Sequence, residues 1–373
     1  MGGTETYVRG LLAEYARGAG PDRVTVPAGP EAARSVAALA GGPVRIATID
    51  RAPRPGDGRV DRAVGLLRGL VRAPAEARRI AAEADVLHLP LTVPVPRRRH
   101  GPTVLTLHDV LHHELPRLFP ASERAYRRLA YDDAARRATR VVTDSEHARR
   151  LIVARLGIPA ERVVTVHLGL DHERLRPAPS DDDAAALGPL DLPAWPWLYY
   201  PAALWPHKNH ERLLAALARC PPELSLVLSG SDVGGSEALR ETARRHGVAD
   251  RVRLLGWVPH AAVPALYRAA TAVVYPSLAE GFGMPPVEAM ACGTPVAASD
   301  APAIAEACGG AALAFPARDV AALADAAMRV ATDERLRAEL RDAGLERARQ
   351  LTWRRSAERH AEVYADALGA WCP

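Results

Sequence analysis

The chain has 373 residues, 48% hydrophobic and 25% charged, a soluble globular make-up long enough for two domains and with no apolar run that could span a bilayer. Its formal charge of +4 is uneven: residues 1 to 190 hold 29 basic and 23 acidic side chains (+6), residues 191 to 373 hold 19 and 21 (−2). The basic half allows peripheral contact with an anionic membrane face, although such runs are more often solvated helix surfaces; three Phe without aromatic-basic interleaving argue against nucleic acid, and four cysteines without paired or His-flanked spacing give neither disulfide framework nor metal site.

In chain order, short β-branched runs alternate with Ala/Arg/Leu-rich amphipathic stretches, the pattern of parallel sheets covered by helices, so the fold class is α/β. The first half predicts helices over 7–16, 74–82, 122–137 and 146–156, and strands over 44–49, 85–89, 103–108, 140–144 and 163–167. Residues 176–196, rich in Pro and Asp, read as an interdomain linker. Beyond it come strands over 197–202, 225–229, 252–255, 272–275, 295–298 and 312–315, with helices over 210–217, 236–246, 263–269 and 286–291. The tail over 333–368 reads as two helices. The expected domains are 1–176 and 190–353, with 354–373 packing back on the first. The start lacks the charged-then-apolar order of a signal peptide, so a cytoplasmic protein is expected.

One oddity of composition points to chemistry. Of 48 basic residues only Lys208 is a lysine, and the chain's only asparagine, Asn209, follows it. In a chain so averse to both, their survival side by side marks a place where Arg cannot replace a compact ammonium. A second segment, from Pro276 through Glu280-Gly281-Phe282-Gly283-Met284 to Glu288 and Val296, runs strand, glycine loop, helix, glycine turn, strand. Gly281 and Gly283 let backbone approach a ligand, and a helix opening over 284–287 offers N–H groups to a diphosphate. Glu280 and Glu288 would repel phosphate, so they suit sugar and ribose hydroxyls. His108, ending a strand beside Asp109, is a third candidate. His112, His113 and Glu114 are not spaced for one helical turn and read as loop residues, and Asp181 to Asp183 read as a solvated run. Ser231, after Gly230, and Ser277 could reach phosphate or cap a helix.

The segment around Glu280 and Glu288 resembles the E-x7-E signature of retaining GT-B glycosyltransferases, the family 4 or group 1 type. The likeness extends through Gly2-Gly3-Thr4-Glu5-Thr6-Tyr7, Thr106-Leu107-His108-Asp109, the run from Val141 to Arg149, the run from Val166 to Asp171, Pro206-His207-Lys208-Asn209 and Gly256-Trp257-Val258. It implies two Rossmann-like domains facing a central cleft, and a nucleotide-sugar donor whose diphosphate meets Lys208, Gly2, Gly3 and the Gly281, Phe282, Gly283, Met284 loop. Gly230 and Val258 would complete the donor site, Glu280 and Glu288 would take sugar and ribose, and His108 would serve the sugar and the acceptor. No cofactor and no metal are implied. GDP-mannose is the first expectation for the donor and a saccharide, lipid-linked or small-molecule hydroxyl for the acceptor; a nucleotide-sugar epimerase or a non-catalytic nucleotide-sugar binder are the alternatives. Two departures stand out: Ala202 and Ala203 occupy the places of the usual second phosphate cation, and no strand precedes the Gly2-Gly3 segment. An exposed Lys208 is expected to matter for turnover and little for stability.

Overall fold

The computed structural model describes residues 3–49, 74–90, 100–194 and 196–371. Its contacts divide the chain into two compact units, Met1–Gly169 with Trp353–Pro373, and Leu170–Thr352.

The first unit opens on the helix Gly3–Ala16, so Gly3 lies at a helix start rather than in a loop; Gly2 falls outside the described residues. Its strands are β1 (Val24–Ala28), β2 (Val44–Thr48), β3 (Leu87–Leu89), β4 (Thr103–Thr106), β5 (Arg140–Thr143) and β6 (Val163–Thr165). They form two parallel sheets, β1-β2 and β3-β4-β5-β6. Among the described residues β1 pairs only with β2 and β3 only with β4, so each sheet keeps an open edge. Strand alternation builds three layers around the larger sheet. Val104 and Val142 pack against Val363 and Ala367 of the helix Trp353–Gly369. Leu105 and Val141 face the other way, onto Ala135, Ile152 and Leu156. The helix expected over 122–137 is interrupted by a π turn, Arg128–Asp132, between Ala121–Arg127 and Asp133–Arg137. The wider turn carries Asp132 into the interior and leaves Leu129 exposed.

The second unit holds β7 (Trp197–Pro201), β8 (Ser225–Ser229), β9 (Val252–Gly256), β10 (Ala272–Tyr275), β11 (Val296–Ser299) and β12 (Leu313–Phe315). They make one parallel sheet in the order β12-β11-β10-β7-β8-β9. Near-continuous apolar runs such as Trp197-Leu198-Tyr199-Tyr200 and Ala272-Val273-Val274-Tyr275 are what a strand covered on both faces requires. The strand order reverses between β10 and β7, and the crevice at the carboxyl ends of two such strands is where an open α/β sheet binds ligands.

The contacts divide the chain a few residues from the expected boundaries. The first unit ends at Gly169 rather than 176, the second spans Leu170–Thr352 rather than 190–353, and the tail joins the first unit from Trp353. The start of the segment read as a linker, and Arg174 just before it, are fastened to the rest of the second unit: Arg174 Nη1 donates to the His260 carbonyl (3.2 Å), Arg268 Nη1 to the Arg176 carbonyl (3.1 Å) and Arg268 Nε to Asp183 (2.7 Å). Asp183 is thus an ion-pair partner rather than a solvated residue, its carboxyl held low first by that hydrogen bond.

Candidate functional site

In the second unit, the loops after β7 and β10 are tied to each other. The chain leaves β7 through a short 3-10 turn, Pro206–Lys208, and reaches Asn209 at φ +64°, a left-handed conformation that Asn tolerates better than other side chains. Asn209 is buried; its Nδ2 donates to the carbonyls of Pro276 (2.9 Å) and Ala317 (2.8 Å), and its Oδ1 accepts from Arg212 (2.8 Å). The sole asparagine is therefore a structural stitch beneath the sole lysine. Leu278 N donates to the His207 carbonyl (2.8 Å), and Tyr200 Oη donates to the Lys208 carbonyl (2.7 Å).

This frame brings Lys208 and Glu280 together. Lys208 Nζ donates to Glu280 Oε1 (2.6 Å) and to Tyr275 Oη (3.1 Å), and Tyr275 Oη donates to the same Oε1 (2.9 Å). The two charged side chains are only 15% and 12% exposed, so Lys208 is not the exposed residue expected from the sequence. Burial works against the Glu280 charge, but the Lys208 ammonium overcomes it and holds the carboxyl below its ordinary range. Tyr275 was invisible as a site residue, because a tyrosine closing an apolar strand reads as core.

Around the pair, Phe282 is buried and Gly283 sits at φ +109° before the helix Met284–Ala291. Pro285 and Pro286 occupy the first turn of that helix and carry no N–H, so the helix start over 284–287 has two amides fewer for an anion than its four residues suggest. Glu288 lies on the helix and accepts from Tyr267 Oη (2.9 Å); burial pushes its carboxyl upward. Gly230 follows β8 at φ +147°, and a Cβ there would lie 2.4 Å from the Ala202 carbonyl oxygen. Backbone thus fills the space beside Ala202 and Ala203. Val258 is buried just beyond β9, next to the exposed Trp257.

In the first unit, His108 follows β4 and Asp144 follows the adjacent β5, so parallel pairing places both at one end of the sheet. His108 Nδ1 contacts Asp144 Oδ2 at 2.8 Å, and since a carboxylate accepts, the imidazole donates. Burial lowers the His108 pKa, yet the neighbouring Asp144 charge outweighs it and the net shift is upward. His108 Nε2 is buried, and the Pro90 carbonyl beside the ring adds to the upward shift. Asp144 is a functional candidate missed in the sequence, where the signal was an Asp ending β5 as His108 follows β4. The Tyr7 ring stands edge-on to His108, 5.1 Å between centroids at 87°. His112 and His113 are not loop residues: on the short helix Leu111–Glu114, both direct Nε2 to Asp132, at 3.0 and 2.8 Å. The carboxylate takes one N–H on each oxygen, a clamp between that helix and the π turn.

Comparison with known proteins gives these sites a context. The family model described as glycosyl transferases group 1 matches residues 196–347, and that of glycosyltransferase family 4 matches residues 1–174. The O-antigen chain mannosyltransferase B of Escherichia coli is 29% identical over 265 residues, 70% of this chain and 69% of the relative. A D-inositol 3-phosphate glycosyltransferase of Salinispora arenicola is 30% identical over 337 residues, 82% of this chain and 73% of the relative. With that of Streptomyces bingchenggensis, 31% identical over 260 residues, the match spans 57% of the relative's length. Among solved structures, Anabaena Alr3699/HepE in complex with UDP-glucose superposes with a TM-score of 0.75 at 24% identity, covering 98% of this chain and 96% of that one. Sucrose-phosphate synthase from Thermosynechococcus elongatus gives 0.76 at 23% identity, covering 99% and 94%. The two family models together account for nearly the whole chain, and the protein belongs to the group 1, family 4 glycosyltransferases, with the two Rossmann-like domains of the GT-B fold.

Proposed function

We propose that the protein moves a hexose from a nucleotide-diphosphate donor to a hydroxyl of a saccharide, lipid-linked or small-molecule acceptor, with retention of anomeric configuration and no metal on the diphosphate. The observation that carries this reading is the Lys208, Tyr275 and Glu280 group at the strand-order reversal, beside the Gly281 to Met284 loop. As the bond from the anomeric carbon to the diphosphate breaks, charge grows on the leaving oxygens, and fixed donors there lower the barrier. Lys208 supplies the cation; Gly2, Gly3 and the loop amides supply neutral donors. Glu280 exchanges part of its pairing for donor-sugar hydroxyls, Glu288 takes the ribose, and Gly230 and Val258 border the nucleotide. The acceptor oxygen attacks from the face the diphosphate leaves, and a departing phosphate oxygen takes the acceptor proton. His108, paired to Asp144, serves the sugar and acceptor side.

GDP-mannose is the favoured donor, supported by the likeness to an O-antigen mannosyltransferase; UDP-sugars rank second, supported by the HepE complex with UDP-glucose. No helix among the described residues is long and apolar enough to cross a membrane; the basic charge of the first half supports peripheral contact with a lipid-linked acceptor. The experiment is a panel of nucleotide sugars offered with soluble and lipid-linked saccharides, reading nucleoside diphosphate release and the anomeric NMR signal of the product. Acceptor-dependent release with retained configuration is expected. Donor isomerised without acceptor would favour the epimerase, and donor bound but never consumed would favour a binding protein.

A further inference from the structure

A buried set of polar side chains lies beside His108 and has no place in the transfer as described. It joins Tyr7 and Tyr15 of the first helix, His88 of β3, Thr106 of β4, and His360 and Tyr364 of the helix Trp353–Gly369. The direction of every hydrogen bond in it follows from one end. The Ser356 carbonyl can only accept, so His360 Nδ1 carries a proton and donates to it at 2.7 Å. Burial pushes the His360 pKa down to about 4, so the ring is neutral and its Nε2 accepts from Tyr7 Oη at 2.7 Å. Having spent its one proton, Tyr7 accepts from the Thr106 hydroxyl at 2.8 Å, and Thr106 in turn accepts from His88 Nε2 at 2.8 Å. His88, also kept neutral by burial, accepts at Nδ1 from Tyr364 Oη (2.8 Å), which accepts from Tyr15 Oη (2.9 Å). Each of these protons is used once, and both imidazole tautomers are fixed.

The chain of bonds clamps Tyr7, and Tyr7 flanks His108. Tyr7 is 1% exposed, its Oη is held from both sides, and its ring meets His108 edge-on at 5.1 Å while Asp144 holds Nδ1 of the same imidazole. Close packing reinforces the seat: a Cβ on Gly10, one helical turn beyond Tyr7, would lie 2.2 Å from the Trp353 ring. We propose that Tyr7 is a positioning residue for His108, and that the helix Trp353–Gly369, through His360, sets the angle at which His108 works. A fully satisfied buried network of this kind removes alternative rotamers, and a small misplacement of a reacting group costs up to about a hundredfold in rate. This inference rests on the assignment of His108 to the transfer made above.

The test is a double-mutant cycle on turnover, with Tyr7→Phe, which keeps the ring and deletes the hydroxyl, and His108→Gln, which removes the imidazole and keeps a polar side chain. Tyr7→Phe should lower kcat about tenfold, with donor KM changed less than about twofold. In the His108→Gln background the same change should alter kcat by less than about twofold. Equal losses in both backgrounds, or no loss in Tyr7→Phe, would overturn the positioning role. His108→Gln with wild-type turnover would instead sink the assignment of His108 itself, and the inference with it. Should Tyr7→Phe fold poorly, Thr106 gives a second entry to the same bonds: Thr106→Ser keeps the hydroxyl and should turn over at least about fivefold faster than Thr106→Val. Equal rates for those two variants at equal Tm would count against the network.

Discussion

The surroundings of Lys208 and of His108 hold a reactive group at the carboxyl ends of parallel strands by opposite means. Lys208 is held by charge: one carboxylate, Glu280 of the loop after β10, and the hydroxyl of Tyr275 at the end of β10, the strand next to β7 in the sheet order. His108 is held by one carboxylate and a ring whose own position depends on neutral, directed hydrogen bonds drawn from three strands and helices far apart in sequence. An ion pair accepts a substitute, because an arriving phosphate offers Lys208 the same sign of charge as Glu280 does. A directed chain accepts none, because every donor already has its single acceptor. On the proposed reading the second unit would exchange partners on binding, whereas the first keeps a geometry.

The largest effect expected from this contrast is on turnover in Lys208→Ala. A charge-assisted bond to phosphate is worth about 1.5–3 kcal/mol, so turnover should fall at least about tenfold, with only partial rescue in Lys208→Arg. The pairing also changes what stability should do. Removing Lys208 strands a carboxylate that is 12% exposed, so Tm should fall as well, and Lys208→Ala with Glu280→Gln should recover Tm without recovering turnover. Wild-type turnover and donor affinity in Lys208→Ala would break the comparison at its root.

Next in size is Gly230→Ala. A Cβ at 2.4 Å from backbone cannot be accommodated by a side-chain rotation, and the positive φ adds strain, so a loss of about 1–3 kcal/mol, or several degrees of Tm, is expected. An unchanged Tm would mean that the loop after β7 moves freely.

A smaller effect separates the two regions by the sign of their pH dependence. The His108 pKa is raised in the fold, so its stabilising contribution is complete below the ordinary histidine range and is lost as pH rises through the raised value. Glu280 is lowered, so its contribution is present above the ordinary carboxylate range and is lost as pH falls through the lowered value. Thermal scans should therefore show the Tm gap between wild type and His108→Gln closing as pH rises above the ordinary histidine range, and the gap for Glu280→Gln closing as pH falls below the ordinary carboxylate range. Gaps that move in the same direction would contradict these pairings. The smallest effect is expected from chelation: turnover should be unchanged by EDTA. Loss restored by manganese would return attention to His112, His113 and Asp132, whose ligand atoms lie within 4.8 Å of one another.

How much of this was readable beforehand depended on the range of the forces involved. The strands of the second unit, the glycine loop and the Lys208-Asn209 pair were legible, because apolar runs, glycine and a sole lysine are local signals. Tyr275 and Asp144 were not, since Lys208 and His108, which they meet, follow strands that become their neighbours only in the sheet. Strand β1 was missed because Pro27 interrupts its pattern, although Pro27 keeps its place opposite Ala47. The π turn escaped for another reason: one extra residue in a helical turn leaves the amphipathic pattern almost unaltered while redirecting Asp132 inward. The Pro and Asp content of 176–196 suggested an interdomain linker, and that Arg268 and Arg174 anchor the stretch from 174 to 183 is a matter of contacts that composition does not encode.

The order in which the chain is synthesised gives the helix Trp353–Gly369 one more consequence. Val363 and Ala367 cover the face of β4 and β5 that carries Val104 and Val142, so the first unit cannot close its core until the last helix has left the ribosome. The second unit has no such debt to later sequence: its two ends meet where Leu170 pairs with Thr352 and Leu170 N donates to the Leu351 carbonyl at 3.1 Å. It has the topology of an insertion, complete at residue 352 and able to form while its host is still half-built. A nascent chain stalled just short of Trp353 would thus carry a finished second unit and a first unit with a bare apolar sheet face. That intermediate is the one most exposed to aggregation and to chaperone capture.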